Sequence, residues 1–411
     1  MIPLLVAALS VTTLMSVVIM YSCNSFEDAA EWLGRGMKPG VKGATINAVG
    51  SSLPELFTTF IFLFGPMMLP SVFGAHGSGS DHFSAAVATC AGSAVFNAVI
   101  IPALCILAVS VYGVKNGNGR GRSRVRHIQL NKRVVIKDGL FFVGAELLLI
   151  WFLSDHFMKW WMGGVLAMAY VVYIGVTLGF GFEVPAEGDD EGDEGDEGDE
   201  GDASQASNGI LGLGWLLDIN QRFFGGAPYT TGRAWAVLAA SVGVIGIACG
   251  GIVWGVEQSA AALGVRPYFT AVILAAAATS VPDTVLSVKD AIKGQYDDAV
   301  ANAVGSNIFD ITICLGLPLF AYGLVVGDVE LAASGAAADV QALRWVLLAV
   351  TAVVLGLLLF GPSVGRNKAI ALIALYVLWT AFIIGRASNA AWTDAIVSVL
   401  PGQVVSGSVM N

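Results

Sequence analysis

The sequence predicts an all-α integral membrane protein of ten transmembrane helices, arranged as two inverted-topology repeats of five helices. Three observations support this fold class: the composition, the distribution of basic residues, and a polar phrase that occurs once in each half. Hydrophobic residues make up 56% of the 411 residues and charged residues 13%, whereas a soluble domain carries about 25% charged residues. The apolar runs reach the ~20 residues that a spanning helix needs, and they do not alternate as barrel strands do.

Ten apolar stretches are long enough to be spans. Residues 1–23 lack the basic start and the small-residue cleavage site of a signal peptide, so they are predicted to form the first span. The predicted spans are 2–22, 41–66, 82–112, 138–154, 159–181, 234–256, 267–290, 298–326, 341–361 and 367–386.

The basic residues predict the orientation of these spans, because cytoplasmic loops carry an excess of Lys and Arg. Segment 115–137 holds eight of the 21 basic residues and is therefore assigned to the cytoplasm. Alternation from this segment places 17 basic residues on the cytoplasmic side and four on the other. Both termini then lie outside, and spans 2 and 7 run in opposite directions, which makes the two repeats inverted.

The chain divides into a first half at 1–181, a linker at 182–233 and a second half at 234–411. Residues 187–202 hold eleven of the 31 acidic residues, so the net charge of −10 belongs to this tract and the remainder is about neutral. The charge gives no support for nucleic-acid binding. The tract is predicted to be a disordered cytoplasmic connector; the alternative is a weak Ca²⁺ buffer or regulatory strip.

The two polar phrases are AVGSSLPE at 48–55 and AAATSVPD at 276–283. Each puts a carboxylate within an apolar stretch, which costs roughly 2.5–3.5 kcal/mol and indicates a functional site. The prolines, Pro54 and Pro282, lack the N–H that would bond the carbonyl four residues earlier, so a kink or break is expected. Helical spacing puts hydroxyls beside each carboxylate, and these oxygens suit Na⁺ and Ca²⁺. The candidate ligands are Glu55, Asp283, Ser51, Ser52, Thr279 and Ser280.

A second pair of segments also repeats: GSAVFN at 92–97 and GSNIFD at 305–310. Ser93 and Asn97 are four residues apart, as are Ser306 and Asp310, so each pair is predicted to share a helix face. The glycines at 92 and 305 are expected to allow close helix packing. Glu55, Asp283 and Asp310 would bring up to three negative charges to a midplane cavity. Bound cations would have to neutralise these charges. One cation would then leave only when another replaces it, which is what an exchanger requires.

The remaining polar residues are weaker candidates. The four histidines lie in loops or at span edges, so a buried histidine relay is not expected, and the five cysteines are interpreted as small buried apolar residues. Asp138 and Glu146 are interpreted as packing acids. Neither a phosphate-binding loop nor an enzyme nucleophile motif is evident, so the chain is predicted to be neither an enzyme nor a cofactor protein.

The motifs GSSLPELFTTF, GSAVFN, ATSVPDTVLS and GSNIFD resemble the sodium/calcium exchangers of the Ca²⁺/cation antiporter superfamily. This resemblance covers nearly the whole chain and implies ten spans in inverted repeats with a cytoplasmic loop between them. It implies Glu55 and Asp283 as central Ca²⁺ ligands, with the carbonyls of Ala48 and Ala276 at flanking Na⁺ sites. It further implies that Na⁺ entry drives Ca²⁺ extrusion while spans 1 and 6 slide across the rest. The implied cargo is Ca²⁺ and Na⁺, at the plasma or inner membrane.

Three alternatives to Na⁺/Ca²⁺ exchange remain open. SVPD with GSNIFDIT is similar to the potassium-dependent branch, in which the acid matching Asp310 is linked to K⁺ co-transport. A Ca²⁺/H⁺ antiporter of the same superfamily is the runner-up, although such proteins usually carry glutamate in both phrases. A cation channel or a membrane scaffold is the third alternative. The lipid bilayer is the expected partner, a monomer is sufficient, and the sequence does not specify the oligomeric state.

Overall fold

The structure is a computed structural model that describes residues 2–33, 35, 48–73, 79–115, 122–123, 125, 127–130, 132–179, 218–331, 337–361 and 363–400. Most of the predicted linker, including its acidic tract at 187–202, lies outside these ranges. The start of predicted span 2, at 41–47, and the chain after 400 also lie outside them.

The first half is built from long helices. Each of the predicted spans 1 to 5 coincides with one helix, and the first helix continues beyond its predicted end at 22. These helices are α1 (Ile2–Leu33), α2 (Ala48–Met68), the short α3 (Pro70–Phe73), α4 (Gly79–Tyr112), α5 (Lys132–Phe152) and α6 (Trp160–Gly179).

The second half begins with the short helix α7 (Ile219–Phe224) and the long helix α8 (Thr231–Leu263), each of which has a side-chain N-cap. The next two predicted spans are interrupted rods. The first consists of α9 (Pro267–Thr270), a π-helical turn at Ala271–Ala275, α10 (Ala276–Thr279) and α11 (Val281–Lys293). The second consists of α12 (Tyr296–Phe309), a π-helical turn at Asp310–Cys314 and α13 (Gly316–Val325). The last helices are α14 (Ala337–Leu359), α15 (Arg366–Ala387) and α16 (Ala391–Ser398).

The lengths and hydropathies of these helices show a multi-pass integral membrane protein. Within the described ranges, seven helices are long and apolar enough to span a membrane. An eighth span results if Pro267–Thr279 and Val281–Lys293, which meet at a bend of 42°, cross the bilayer together. The total of ten spans and the inverted relation of the repeats stay predictions.

Three short antiparallel ladders connect the loops. β1 (Val114–Lys115) pairs with β2 (Arg122–Ser123). β3 (His127–Ile128) pairs with β6 (Val364–Gly365), and β4 (Phe157–Met158) pairs with β5 (Val329–Glu330). Because β3 and β4 flank α5 while β5 and β6 flank α14, the last two ladders join these helices at both ends.

Buried polar contacts also join α5 to α14. The Thr351 hydroxyl donates to Oε1 of Glu146 at 2.6 Å, and Nη1 of Arg344 donates to the carbonyl of Ile150 at 2.9 Å. Glu146 therefore lies in a helix interface, as its interpretation as a packing acid requires. Asp138 has a similar setting, since it contacts Lys137 at 3.1 Å and accepts a hydrogen bond from Tyr173.

Helices α1 and α8 pack side by side along their length. The approach is closest at two glycines of α8. A Cβ atom at Gly255 would lie 2.3 Å from Oγ1 of Thr12, and one at Gly251 would lie 2.7 Å from Cγ of Met15. Such distances are possible only without a side chain, so α1 and α8 form a closely packed two-helix unit.

One histidine has a more buried setting than its position at a span edge suggested. His82 lies in the first turn of α4 and is only 4% exposed. Its Nδ1 atom is 3.7 Å from Oε1 of Glu257 on α8. Within the part of the chain that the structure describes, neither that nitrogen nor either carboxylate oxygen has a hydrogen-bond partner. This pair thus forms a polar contact between α4 and the two-helix unit.

Candidate ion-binding site

The first phrase lies inside one unbroken helix. Ser51, Ser52 and Glu55 are on α2 and are all fully buried. Pro54 is inside α2, so the predicted break does not occur there. The helix begins at Ala48, and its predicted upstream portion at 41–47 is outside the described residues. Of the kink or break predicted at Pro54, the break is therefore wrong and the kink stays a prediction, and the first phrase presents its side chains from a continuous helix.

The second phrase does contain a break. Ser280 leaves helical geometry with φ −78° and ψ 3°, and it separates α10 from α11. Pro282 falls in the first turn of α11, where its missing N–H is tolerated because the first amides of a helix have no intrahelical acceptor. Asp283 is also in this first turn, and with Thr279 and Ser280 it is fully buried.

The carbonyl released by Pro282 has a partner that the sequence did not indicate. Pro282 has no N–H to donate to Ala278, as predicted. Instead, the hydroxyl of Ser16 on α1 donates to the carbonyl of Ala278 at 2.7 Å. This carbonyl is therefore held by the protein.

Ser93 on α4 lies at the centre of the site and connects both phrases. Its Oγ atom is 3.2 Å from Oε1 of Glu55, 2.9 Å from Oδ2 of Asp310 and 2.9 Å from Oγ of Ser280. The amide of Asn97, one turn along α4, donates to the same oxygen at 3.3 Å. A hydroxyl carries one proton, so Ser93 donates to one of these neighbours at a time.

Asp283 is held from three elements. Asn97 donates to its Oδ2 at 3.0 Å, and Ser306 on α12 donates to its Oδ1 at 3.0 Å. The side chain of Ser51 on α2 also hydrogen-bonds to Asp283, whereas the hydroxyl of Thr279 donates to the carbonyls of Ala275 and Ala276 in its own helix. The predicted residues of the two halves thus meet in one buried cluster.

Several oxygens of this cluster have no hydrogen-bond partner among the described residues. They are buried, and each faces the low-dielectric interior with a lone pair unused, which costs free energy unless a ligand or water satisfies it. These atoms are Oγ of Ser52, Oε2 of Glu55, Oδ1 of Asn97 and Oδ1 of Asp310.

The charge of the cluster also points to cations. Within the described part of the chain, Glu55, Asp283 and Asp310 form no salt bridge with a basic side chain. Buried carboxylates without a counterion repel each other and lose their hydration, so a bound cation would stabilise their charged forms. No group of three or more His, Cys, Asp or Glu in the described ranges is compact enough to hold a metal ion alone. Hydroxyl and amide oxygens therefore have to complete any coordination shell.

The two alanines whose carbonyls were implied as flanking ligands are placed differently. Ala276 is buried at the start of α10, and its carbonyl accepts from the amide of Ser280 at 3.1 Å and from Oγ1 of Thr279 at 3.3 Å. Ala48 is the first residue of α2. The Ala276 carbonyl therefore already has two protein donors.

The two repeated glycines also differ. A Cβ atom at Gly92 would lie 2.2 Å from the carbonyl oxygen of Val272 in the π-helical turn and 2.8 Å from Cβ of Ala276. At Gly305 the nearest atom would be Oη of Tyr173 at 3.9 Å. The expectation of close packing is thus confirmed for Gly92 and wrong for Gly305.

Four residues near the site were missed by the sequence reasoning. Asn307 donates to the carbonyl of Ala94 at 3.0 Å, while its Oδ1 has no partner. Cys249 and Cys314 donate to the carbonyls of Pro54 and Ser52, each at 3.4 Å. The fourth is Ser16. Asn307 stands where the first repeat has Ala94, and this departure was an available signal, whereas a lone serine or cysteine in an apolar helix gives none.

Comparisons with known proteins agree with this architecture. Sodium/potassium/calcium exchanger 1 of Gallus gallus is 41% identical over 83 residues, which are 20% of this chain and 12% of that protein. Sodium/potassium/calcium exchanger 4 of Mus musculus is 34% identical over 134 residues, which are 33% of this chain and 17% of that protein. Each match therefore spans less than a fifth of the relative's length.

Two solved structures share the fold. A crystal structure of the H⁺/Ca²⁺ exchanger CAX has a TM-score of 0.61 at 13% identity and covers 95% of this chain and 91% of its own. A structure of the sodium-calcium exchanger NCX_Mj has a TM-score of 0.50 at 20% identity and covers 93% of this chain and 99% of its own.

The family comparison covers most of both halves. The profile described as "Sodium/calcium exchanger protein" matches residues 7–179 and 233–385, leaving out the linker and the C-terminal tail. These ranges contain both phrases and every residue of the buried cluster. The family consists of transporters and not of enzymes. The chain belongs to the sodium/calcium exchanger family.

Proposed function

We propose that the protein is a secondary active antiporter that exchanges Na⁺ for Ca²⁺ across the membrane at the buried cluster. The observation that carries this proposal is one buried cluster in which Ser93 contacts Glu55 and Asp310 while Asn97 links Ser93 to Asp283. Among the described residues, several of its oxygens are unpartnered and no basic side chain forms a salt bridge with its carboxylates. The unpartnered atoms of the described cluster are oxygens of hydroxyl, carboxylate and amide groups, and hard cations such as Ca²⁺ and Na⁺ prefer oxygen ligands.

The same cluster accounts for exchange rather than one-way binding. Leaving all three carboxylates charged and without a cation is unfavourable, so the departure of one ion is costly until another replaces it. One Ca²⁺ or several Na⁺ can balance the same charge. The shared use of Glu55 and Asp283 by both ions then couples their movements.

The topology of the proposal is ten spans in two inverted repeats, with the site near the midplane where the repeats meet. The break at Ser280 supports this arrangement, because non-helical backbone within the membrane is tolerated where protein or a polar cavity surrounds it. The basic-residue distribution places both termini outside and the acidic linker in the cytoplasm.

Potassium-dependent exchange is the second candidate. Two observations favour it: the relatives with 34–41% local identity are named sodium/potassium/calcium exchangers, and Asp310 brings a third carboxylate into the cluster. Its Oδ1 is unpartnered while its Oδ2 is held by Ser93. A third acid can balance an additional monovalent cation.

The proposal is tested with purified protein in Na⁺-loaded vesicles, by measuring uptake of radiolabelled Ca²⁺. Uptake should require an outward Na⁺ gradient and should collapse when Na⁺ is equal on both sides. Equal uptake driven by a pH gradient alone would refute Na⁺ coupling and establish the Ca²⁺/H⁺ alternative.

The site is tested by Glu55→Gln and Asp283→Asn, each of which should abolish Ca²⁺ uptake while preserving side-chain volume. Glu146→Gln is the matched control, since Glu146 is equally buried but lies between α5 and α14. Near-normal uptake by either site variant would refute the assignment. The potassium candidate predicts that external K⁺ stimulates the parent protein but not Asp310→Asn.

A further inference from the structure

We propose that Ser16 is a positioning residue that fastens α1 to the break in the second phrase and thereby sets the affinity of the ion site. This inference rests on the proposed function, because it concerns the ion site of the same exchanger. The structural basis is the hydrogen bond of 2.7 Å from the Ser16 hydroxyl to the carbonyl of Ala278.

The need for an outside donor follows from the backbone chemistry. In a continuous helix the amide of residue 282 would donate to the carbonyl of Ala278, but Pro282 has no N–H. The neighbouring amides are already committed, since Ser280 donates to Ala276 and Thr284 donates to Ser280. Ala278 is only 7% exposed, so without Ser16 its carbonyl would be buried with no other side-chain donor among the described residues.

Ser16 behaves differently from other hydroxyl residues of its own helix. Thr12, Thr13 and Ser25 donate to carbonyls four residues earlier in α1, which is the usual local bond of such side chains. The Ser16 bond crosses instead to a residue 262 positions away. It therefore connects two helices rather than stabilising one.

The bond ends next to ion-site residues. Ala278 directly precedes two predicted ligands, Thr279 and Ser280, and the hydroxyl of Ser280 is 2.9 Å from that of Ser93. A displacement of the Ala278 carbonyl therefore moves the hydroxyls of Thr279 and Ser280 relative to α2 and α4. Ser16 acts through this segment and does not itself contact the predicted ligands.

The other end of the bond belongs to the two-helix unit of α1 and α8. Gly251 and Gly255 keep these helices in close contact, so a shift of the unit against α10 must either break the Ser16 bond or carry Ala278 with it. Cation occupancy and the position of the unit are then thermodynamically linked, and each biases the other.

The test compares Ser16→Ala, Ser16→Thr and Thr13→Val in Na⁺-driven Ca²⁺ uptake. Ser16→Ala should raise the half-saturating Ca²⁺ concentration about tenfold, the factor expected for one lost buried hydrogen bond, with a smaller change in maximal rate. Ser16→Thr keeps the hydroxyl and should restore the wild-type value. Thr13→Val removes an exposed hydroxyl of the same helix whose bond to the carbonyl of Leu9 stays within α1, and it should leave the value unchanged.

Two results would overturn the inference: equal Ca²⁺ dependence of Ser16→Ala and Thr13→Val, or equal impairment of Ser16→Ala and Ser16→Thr. If Ser16→Ala does not fold, Ser16→Cys is used in its place. Because a thiol is a weaker donor than a hydroxyl, Ser16→Cys should have a higher half-saturating Ca²⁺ concentration than Ser16→Thr. Equal values for these two variants would refute the positioning role of Ser16. Calorimetric Ca²⁺ binding by the same purified variants separates this inference from the proposed function. Wild-type uptake that ignores Na⁺ would refute the function, while the ranking of binding affinities would still decide on Ser16.

Discussion

Gly92→Ala is the substitution whose outcome the structure specifies most directly, because Gly305, at the matching position of the second repeat, provides a control. Gly92 lies where α4 crosses the π-helical turn at Ala271–Ala275. The added methyl group would lie 2.2 Å from the carbonyl oxygen of Val272, whereas real Cβ contacts essentially never fall below 3.0 Å. The obstacle is backbone, so rotation of a side chain cannot relieve it. The two helices must separate by about 1 Å.

The cost follows from this separation. Overpacking a well-packed interior destabilises a protein by about 1–3 kcal/mol, and a backbone obstacle places Gly92→Ala at or above the upper end of that range. Ser93 follows Gly92 directly, so the separation also lengthens its 2.9 Å contact with Ser280. In Gly305→Ala the new methyl group meets nothing closer than 3.9 Å. Replacing glycine by alanine in a helix then gains about 0.5–1 kcal/mol.

The two variants are compared by thermal unfolding in detergent and by Ca²⁺ uptake in vesicles. Gly92→Ala should unfold at a lower temperature and lose most of its uptake, whereas Gly305→Ala should match or exceed the wild type in stability and retain transport. Equal behaviour of the two variants would show that the crossing at Gly92 is not the tight contact described here.

Three further predictions concern other contacts. Ser93→Ala should weaken Ca²⁺ binding about 10-fold to 100-fold in a titration, because Glu55 and Asp310 lose a shared donor. Ser84→Ala on the same helix is the control, and equal Ca²⁺ affinities of the two variants would contradict the central role of Ser93. His82→Ala and Glu257→Gln should each lower thermal stability, and the double variant should lose less than the sum, whereas strict additivity would exclude a direct interaction. Deletion of 187–202 should leave Na⁺-driven uptake near the wild-type rate in the vesicle assay; a severalfold change would indicate the regulatory alternative.

The sequence predicted the membership of the buried cluster well, because that information is local and repeated. Spacings of three and four residues put hydroxyls beside Glu55 and Asp283, and the second pair of motifs identified Ser93, Asn97, Ser306 and Asp310. These are helix-face relations, which depend only on helical periodicity. The duplication of the motifs was enough to indicate that the two sets act together.

The geometry within the cluster depended on information that the motifs do not contain. Ser93, and not its counterpart Ser306, is the central hydroxyl, and Pro282 accompanies a break while Pro54 does not. Both π-helical turns described here lie in the second half, and each adds a residue to a turn, which changes the helix register beside the site. Such asymmetry arises from packing between distant segments. The contact of Ser16 with Ala278 is of the same kind, since 262 residues separate its two members.

If the protein is the proposed exchanger, the ladders β3–β6 and β4–β5 restrict how its site could be opened to one side of the membrane and then the other. Each ladder joins a loop of the first half to a loop of the second, and the two lie at opposite ends of α5 and α14. A rocking motion of one half against the other, as two rigid blocks, would have to break both ladders, together with the contacts of Glu146 and Arg344. Movement of helices other than α5 and α14 would therefore change access to the proposed site at a lower cost in free energy. Helices α5 and α14 then provide a fixed reference against which displacement of the other helices can be measured.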